Sequence, residues 1–341
     1  LAQNDDNIDM LVLNFSRFGG AYPSKLHYIG QKIEKFKESG KKVVSYGSLY
    51  DQSAYLLASF SDEIYMHPQG ATLLYGYGGF QNYFLGFLEK IKAEVQLFRV
   101  GKYKSAMEPF IRSDMSEEAR AANLELYGGL WDDYVAQIAA QRSLDENIIR
   151  AGIENADQLL MELNGDLGQL AFRNSLVDGL KTRAEWVTYM QERVGKGENN
   201  QGINQVYLRD YLTSKVSVSD LTPSKNVVAV VYANGSIMDG DMPQGTVGGD
   251  TLSRQLRDVR LDDKVKAVVL RVESPGGSAF ASELIRQEVL LLKEAGKPVI
   301  ASFAGVAASG GYWIAANADE IWASPTTITG SIGIFGAIPN I

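Results

Sequence analysis

Apolar positions in this chain gather into short runs that end at glycine pairs or at proline, separated by charged stretches with helical spacing. MLVLNFSRFGG (Met10 to Gly20) and AVVLRVESPGG (Ala267 to Gly277) each read as an apolar strand ending in paired glycines. After a charged, helix-like stretch, GKKVVSYG (Gly40 to Gly47) parallels GKPVIASF (Gly296 to Phe303). SDEIYMHP (Ser61 to Pro68) then parallels ADEIWASP (Ala318 to Pro325). Three blocks recur in one order at a separation of 256 to 257 residues, which is the signature of an internal duplication. Strand, helix, strand, helix, strand in this rhythm predicts parallel β-α-β units with right-handed crossovers, so the fold class is α/β with two tandem copies. The boundary falls near Pro223, giving residues 1–222 as the first copy with a helical extension and 223–341 as the second.

Between the copies the texture changes. Ser116 is a good N-cap with Glu117 and Glu118 in the first turn, and Leu124, Tyr127, Trp131, Val135 and Ile138 follow helical spacing. Ser143 and Glu146 fit a capping box for a second helix. GKGENNQG (Gly195 to Gly202) reads as a mobile loop, and Thr222 to Asn226 as the link into the second copy. The second copy stops at Ile341 soon after its third matching strand, so it is expected to be C-terminally incomplete.

Composition narrows the chemistry. A length of 341 residues suits two domains, and 45% hydrophobic with 22% charged residues suits a globular protein. The formal charge of -8 disfavours nucleic acid as a partner, because each phosphate contact needs a Lys or Arg to displace counterions. With no cysteine, thiolate catalysis, cysteine zinc sites and disulfides are excluded. No apolar run approaches the roughly 20 residues that span a bilayer, so any membrane anchor is expected outside this stretch. The only histidines are His27, read as helix surface, and His67, read at a strand-to-loop exit. Neither has paired metal-ligand spacing, so no metal or cofactor is called for and a Ser-His-Asp triad is disfavoured.

In parallel α/β architectures the carboxyl ends of strands carry the sites. SPGGS (Ser274 to Ser278) places two glycines where a strand meets a helix, so bare N–H groups can approach a ligand, as an oxyanion hole requires. GVAASGGYWIAANADE places Ser309 at the start of an apolar, small-residue helix, beside Gly310 and Gly311. Alone, such a serine reads more readily as an N-cap. The first copy, however, carries Gln52 and Ser53 at the corresponding place with no paired glycine after them, and reads as scaffold. A serine nucleophile needs a base, and Lys104 in FRVGKYKSAMEPF is the candidate, with Lys102 and Lys41 as alternatives. To accept a proton near neutral pH a lysine must fall from about 10.4 to about 7, roughly 4 kcal/mol against its charged form, which burial can supply. Ser105 and Glu108 fit a capping box that would set a helix start beside it.

Together RVGKYKSAMEPFIR, LRVESPGGS, AASGGYW and TGSIGIFG (Thr329 to Gly336) resemble the Ser/Lys signal peptide peptidase family, that of signal peptide peptidase A or protease IV, in its long duplicated form. The resemblance implies a crotonase-like and Clp-protease-like fold in which Ser309 is the nucleophile and Lys104 the base. It further implies that Ser331 orients the lysine and that Gly277 and Gly310 supply oxyanion N–H groups. Implied too are a homotetramer tethered to the bacterial inner membrane and facing the periplasm, and substrates that are cleaved signal peptides and other apolar peptides. Phe303, Val306 and Ile334 are candidates for an apolar substrate groove and equally for core. Two rival readings are a crotonase-like acyl-CoA enzyme, which needs carboxylates and a nucleotide site not identified here, and a non-catalytic membrane-associated scaffold.

Overall fold

The computed structural model describes residues 1–215 and 225–340, so the boundary near Pro223 and most of the Thr222 to Asn226 link lie outside the described residues. The strands are β1 (Met10–Asn14), β2 (Lys42–Asp51), β3 (Glu63–Leu73), β4 (Glu94–Val100), β5 (Gly179–Leu180) and β6 (Val227–Asn234). They continue with β7 (Ile237–Met238), β8 (Val247–Gly248), β9 (Val265–Ser274), β10 (Val299–Ala307), β11 (Glu320–Trp322) and β12 (Ile334–Asn340). The chain divides into two compact units, Leu1–Gly76 with Trp131–Pro223, and Tyr77–Leu130 with Ser224–Ile341. Residues 77–130, which precede the sequence boundary, thus pack with the second copy.

In the first unit the sheet runs β1-β2-β3-β5, all parallel. Alternation along β2 and β3 sends Val43, Ile64 and Met66 inward. Against this sheet the helix Pro23–Lys37 buries Leu26, Ile33 and Phe36, the period of an amphipathic helix. Trp186 stacks on Tyr46 at 4.6 Å and, with Met190, packs against Val44. A capping box of Thr182 and Glu185 starts the helix that carries them.

In the second unit the order β11-β10-β9-β6 is again parallel, so the three recurrent blocks occupy adjacent strands in both copies, as the duplication predicts. The helices Gly249–Leu261 and Ala279–Glu294 bury Leu252, Leu256, Ile285 and Val289 in one cluster with Val268, Leu270, Val272 and Ala301. Each of these Leu, Ile and Val side chains contributes about 1.5–3 kcal/mol on burial. The unit also holds an antiparallel ribbon of β4 and β12.

Several local expectations are corrected. β3 does not end at His67 but runs on through Pro68 to Leu73, because β2 resumes after a register shift and pairs Leu49 with Ala71. His27 is half-buried, its Nε2 3.4 Å from Asp133 Oδ2, rather than on the helix surface. Ser116 does cap the Glu117–Arg142 helix, accepting from the Ala119 N–H at 3.2 Å. Ser143 is no cap: it sits at φ +54 past that helix, and Asp145 caps the next one. Gly195 to Gly202 forms a short 3₁₀ turn closed by a bridge between Lys196 and Ile203.

Candidate active site

β10 delivers the chain to Ser309, whose backbone lies at φ +51 and ψ -120. An L-residue adopts this region only when its surroundings enforce it. They do so here: the Ser309 N–H donates to the Gly330 carbonyl at 2.9 Å, and the Ser309 carbonyl accepts from Tyr312 and Trp313 at 3.0 Å. The helix that follows is a single turn, Gly310–Trp313, shorter than the apolar run suggested. A Cβ on Gly311 would stand 2.4 Å from the Ser274 carbonyl oxygen, so the second glycine of SGG is a packing requirement.

The SPGGS turn lies against this elbow. The Ile237 N–H donates to Gly276 O and the Ser278 N–H to Ile237 O, a parallel bridge that leaves the Gly277 N–H facing away from β7. Gly277 N lies 3.3 Å from the place where a Cβ on Gly310 would sit. Neither the Gly277 nor the Gly310 amide donates a hydrogen bond among the described residues. Two unpaired donors therefore stand together beside Ser309. Gly276, at φ +96, has no room for a Cβ, which would meet Gly310 N at 2.5 Å.

Lys104 reaches the same place from the other direction. The register Ile334↔Val100 sets the residues just before β12 against those just after β4, bringing Ser331 beside Lys104. Lys104 is 7% exposed, and its Nζ lies 3.0 Å from Ser309 Oγ, 2.6 Å from Ser331 O and 3.0 Å from Ser331 Oγ. Burial alone holds its pKa below the ordinary lysine value. A neutral amine fits these partners, since it donates twice and keeps a lone pair toward which a serine hydroxyl can turn its hydrogen.

Ser309, Lys104, Ser331, Gly277 and Gly310 thus come together within the second unit. The alternative lysines do not. Lys102 is exposed and paired with Glu118, and Lys41 donates to the Ala2 and Asp5 carbonyls in the first unit. The expected Ser105 and Glu108 capping box is absent: the short helix Glu108–Ile111 starts at Met107 without a side-chain cap, and Glu108 bonds Ser116 instead. Phe303 and Val306 are buried, Phe303 in the core cluster, while Ile334 is exposed. Sequence reasoning passed over Ser274, whose Oγ accepts from the Gly276 N–H and whose carbonyl accepts from the Ala308 N–H. Its signal was its place directly before the paired-glycine turn.

A family model described as Peptidase family S49 matches residues 35–196 and 291–341. The chain belongs to peptidase family S49. Its relatives include Protease 4 of Salmonella typhi, 42% identical over 340 residues and covering 100% of this chain and 54% of the relative. Protease 4 of Haemophilus influenzae is 43% identical over 342 residues, covering 99% and 55%. The chloroplastic serine protease SPPA of Arabidopsis thaliana is 34% identical over 325 residues, covering 92% and 45%. The chain therefore spans about half the length of the curated relatives it matches.

Proposed function

We propose that this chain carries a serine endopeptidase acting through Ser309 and Lys104. One observation carries the reading: a buried amine 3.0 Å from the hydroxyl of a serine held at left-handed φ. In the first step the Lys104 lone pair takes the Ser309 proton as Oγ bonds the peptide carbonyl carbon. The displaced π pair resides on the carbonyl oxygen, held by the Gly277 and Gly310 N–H groups, each such donor contributing roughly 3–4 kcal/mol. The protonated Lys104 then gives its proton to the leaving amine as the C–N bond breaks, leaving an ester on Ser309. Water adds by the same route, its proton passing to Lys104 and on to Ser309 Oγ as the ester opens. One water is consumed and the pair returns to its starting state. Ser331 supports the geometry, its carbonyl and hydroxyl fixing the amine opposite Ser309.

The family resemblance supplies the biological setting of this proposal: cleaved signal peptides and other apolar peptides as substrates, a homotetramer, and a location on the bacterial inner membrane facing the periplasm. Among the described residues no helix is long and apolar enough to cross a membrane. Fluorophosphonate labelling with the adduct located by mass spectrometry, together with cleavage of an apolar signal peptide, tests the proposal. Ser309→Ala is expected to abolish labelling, and Lys104→Ala to slow it by several powers of ten. An adduct found only on another residue, or near-normal rates in folded Lys104→Ala, refutes it. Acyl-CoA turnover without peptide cleavage would shift the assignment to the rival enzyme class.

A further inference from the structure

Resting on the Ser309/Lys104 reading, we propose that Arg99, clamped by the buried Glu108, is a positioning residue that sets where the Lys104 amine stands. The Lys104 side chain is held at its tip by Ser309 and Ser331, but its reach depends on where its own backbone lies. That backbone belongs to a tight turn between β4 and a one-turn helix, in which the Lys104 N–H donates to Gly101 O at 3.2 Å. Gly101 lies at φ +109, where L-residues are strained, so the turn has little regular structure to hold it.

Arg99 supplies the hold. Its Nη1 donates to the Lys104 carbonyl at 3.2 Å and lies 3.6 Å from Glu108 Oε1. The Glu108 carboxylate is 4% exposed and takes two further hydrogen bonds, from Ser116 Oγ at 2.5 Å and Ser116 N at 3.1 Å. Ser116 is itself the cap of the long helix Glu117–Arg142. The carboxylate is thus pinned, and it pins the guanidinium, which in turn holds the carbonyl of the base. Arg99 also pairs across the ribbon with Phe335, so the clamp is carried on the same β4-β12 pairing that delivers Ser331. A guanidinium suits this task because Nη1 can donate to the Lys104 carbonyl while its delocalised charge pairs with the Glu108 carboxylate at 3.6 Å. A buried carboxylate whose charged partner grips the main chain of the base has a positional consequence beyond stability: a misplacement of about 1 Å at a reacting group can cost about 100-fold in rate.

The test is the pH profile of fluorophosphonate labelling of Ser309, taken per folded molecule from thermal unfolding, in Arg99→Met, Arg99→Lys and Glu108→Gln. Arg99 is 37% exposed on its side chain, so Arg99→Met is expected to fold. Its labelling should slow roughly 10- to 100-fold. The pH midpoint should move upward, because an amine released from its buried turn is better solvated and becomes neutral later. Arg99→Lys should recover part of the rate, and Glu108→Gln should shift the midpoint in the same direction as Arg99→Met. Unchanged rate and midpoint in folded Arg99→Met, or a slower rate with an unchanged midpoint and no recovery by lysine, overturns the proposal. Lys104→Ala run alongside separates the two readings. Near-normal labelling there removes the base itself, whereas its loss beside wild-type behaviour of Arg99→Met removes only the clamp.

Discussion

Gly276→Ala is the most demanding test of the turn that faces Ser309, because the added carbon would meet backbone rather than a side chain that can rotate. It would lie 2.5 Å from Gly310 N and 2.8 Å from both Ala308 O and Ser309 Cβ. Reaching even a 3.0 Å contact with Gly310 N requires a displacement of 3.0 − 2.5 = 0.5 Å, shared between two segments of the site. The native φ of +96 adds roughly 1–2 kcal/mol of conformational strain for an L-residue, and the overlap roughly 1–3 kcal/mol. The expected destabilisation is therefore about 2–5 kcal/mol, or roughly 2–4 °C in Tm for each kcal/mol in a unit of this size. Because the displaced atom is a proposed oxyanion donor, labelling of Ser309 by a fluorophosphonate should also fall roughly 10- to 100-fold in the molecules that remain folded. Gly310→Ala is the milder companion: its carbon would press on Ser282 Oγ at 2.5 Å, a buried hydroxyl that donates to Ser278 O, but its main-chain contacts are no closer than 3.3 Å and it keeps the N–H. Its loss should stay under about tenfold. Calorimetry gives the folded fraction and mass spectrometry the labelling rate. Wild-type labelling in folded Gly276→Ala would refute the placement of donors beside the nucleophile.

Two further outcomes follow from the amine. Since burial lowers the Lys104 pKa and the neutral form is the base, labelling should rise with pH with its midpoint below the ordinary lysine value; a midpoint at the ordinary value contradicts the buried base. Between the folded and unfolded pKa values the unfolded chain binds the extra proton, so stability contributed through this group rises with pH, and Lys104→Met should remove that slope in denaturant midpoints measured across alkaline pH. Ser331→Gly removes the 3.0 Å hydroxyl contact, keeps the 2.6 Å carbonyl contact and suits φ +51. It should slow labelling roughly 10- to 100-fold with little change in Tm, whereas an unchanged rate would strip Ser331 Oγ of its orienting role.

What the amino-acid pattern revealed was whatever is repeated or local. Three strand blocks at one offset predicted adjacent parallel strands, and β1-β2-β3 and β9-β10-β11 are those strands. Glycine pairs flagged the turns, and nearest would-be Cβ contacts of 2.0 to 2.5 Å at Gly276, Gly277 and Gly311 explain why no side chain can stand there. Local cap motifs misled where tertiary partners won. Ser105 and Glu108 have the spacing of a capping box, yet the carboxylate is taken by Ser116. Ser143 and Glu146 have it too, yet Ser143 turns into the left-handed region. The pairing of β4 with β12 was not legible, since it joins residues from 234 (Val100 with Ile334) to 246 (Glu94 with Asn340) positions apart and neither strand carries a turn signal pointing to the other. Lys104 was accordingly found by motif, while the reason it meets Ser309 lies in that pairing.

The duplication itself shows how one turn came to hold two roles. In the first unit Leu49 pairs with Ala71, and in the second Val306 bridges Ile328; three residues on from each lie Gln52 and Ser309, so of Gln52 and Ser53 it is Gln52 that corresponds to Ser309. Gln52 is buried, its Oε1 accepts from the Tyr75 N–H at 2.9 Å, and its carbonyl accepts from Tyr134 OH at 3.0 Å. Asp51 caps an ordinary helix of seven residues there, Gln52–Ala58. At Ser309 the same strand end instead enters a left-handed φ and a helix of four residues that begins with two glycines. A side chain that closes a hydrogen-bond network inward stabilises a fold, whereas one set at a strained turn beside unpaired amides has reaction partners still to find. The two copies share a strand scaffold, and the difference between structure and chemistry rests on a few residues at its carboxyl end.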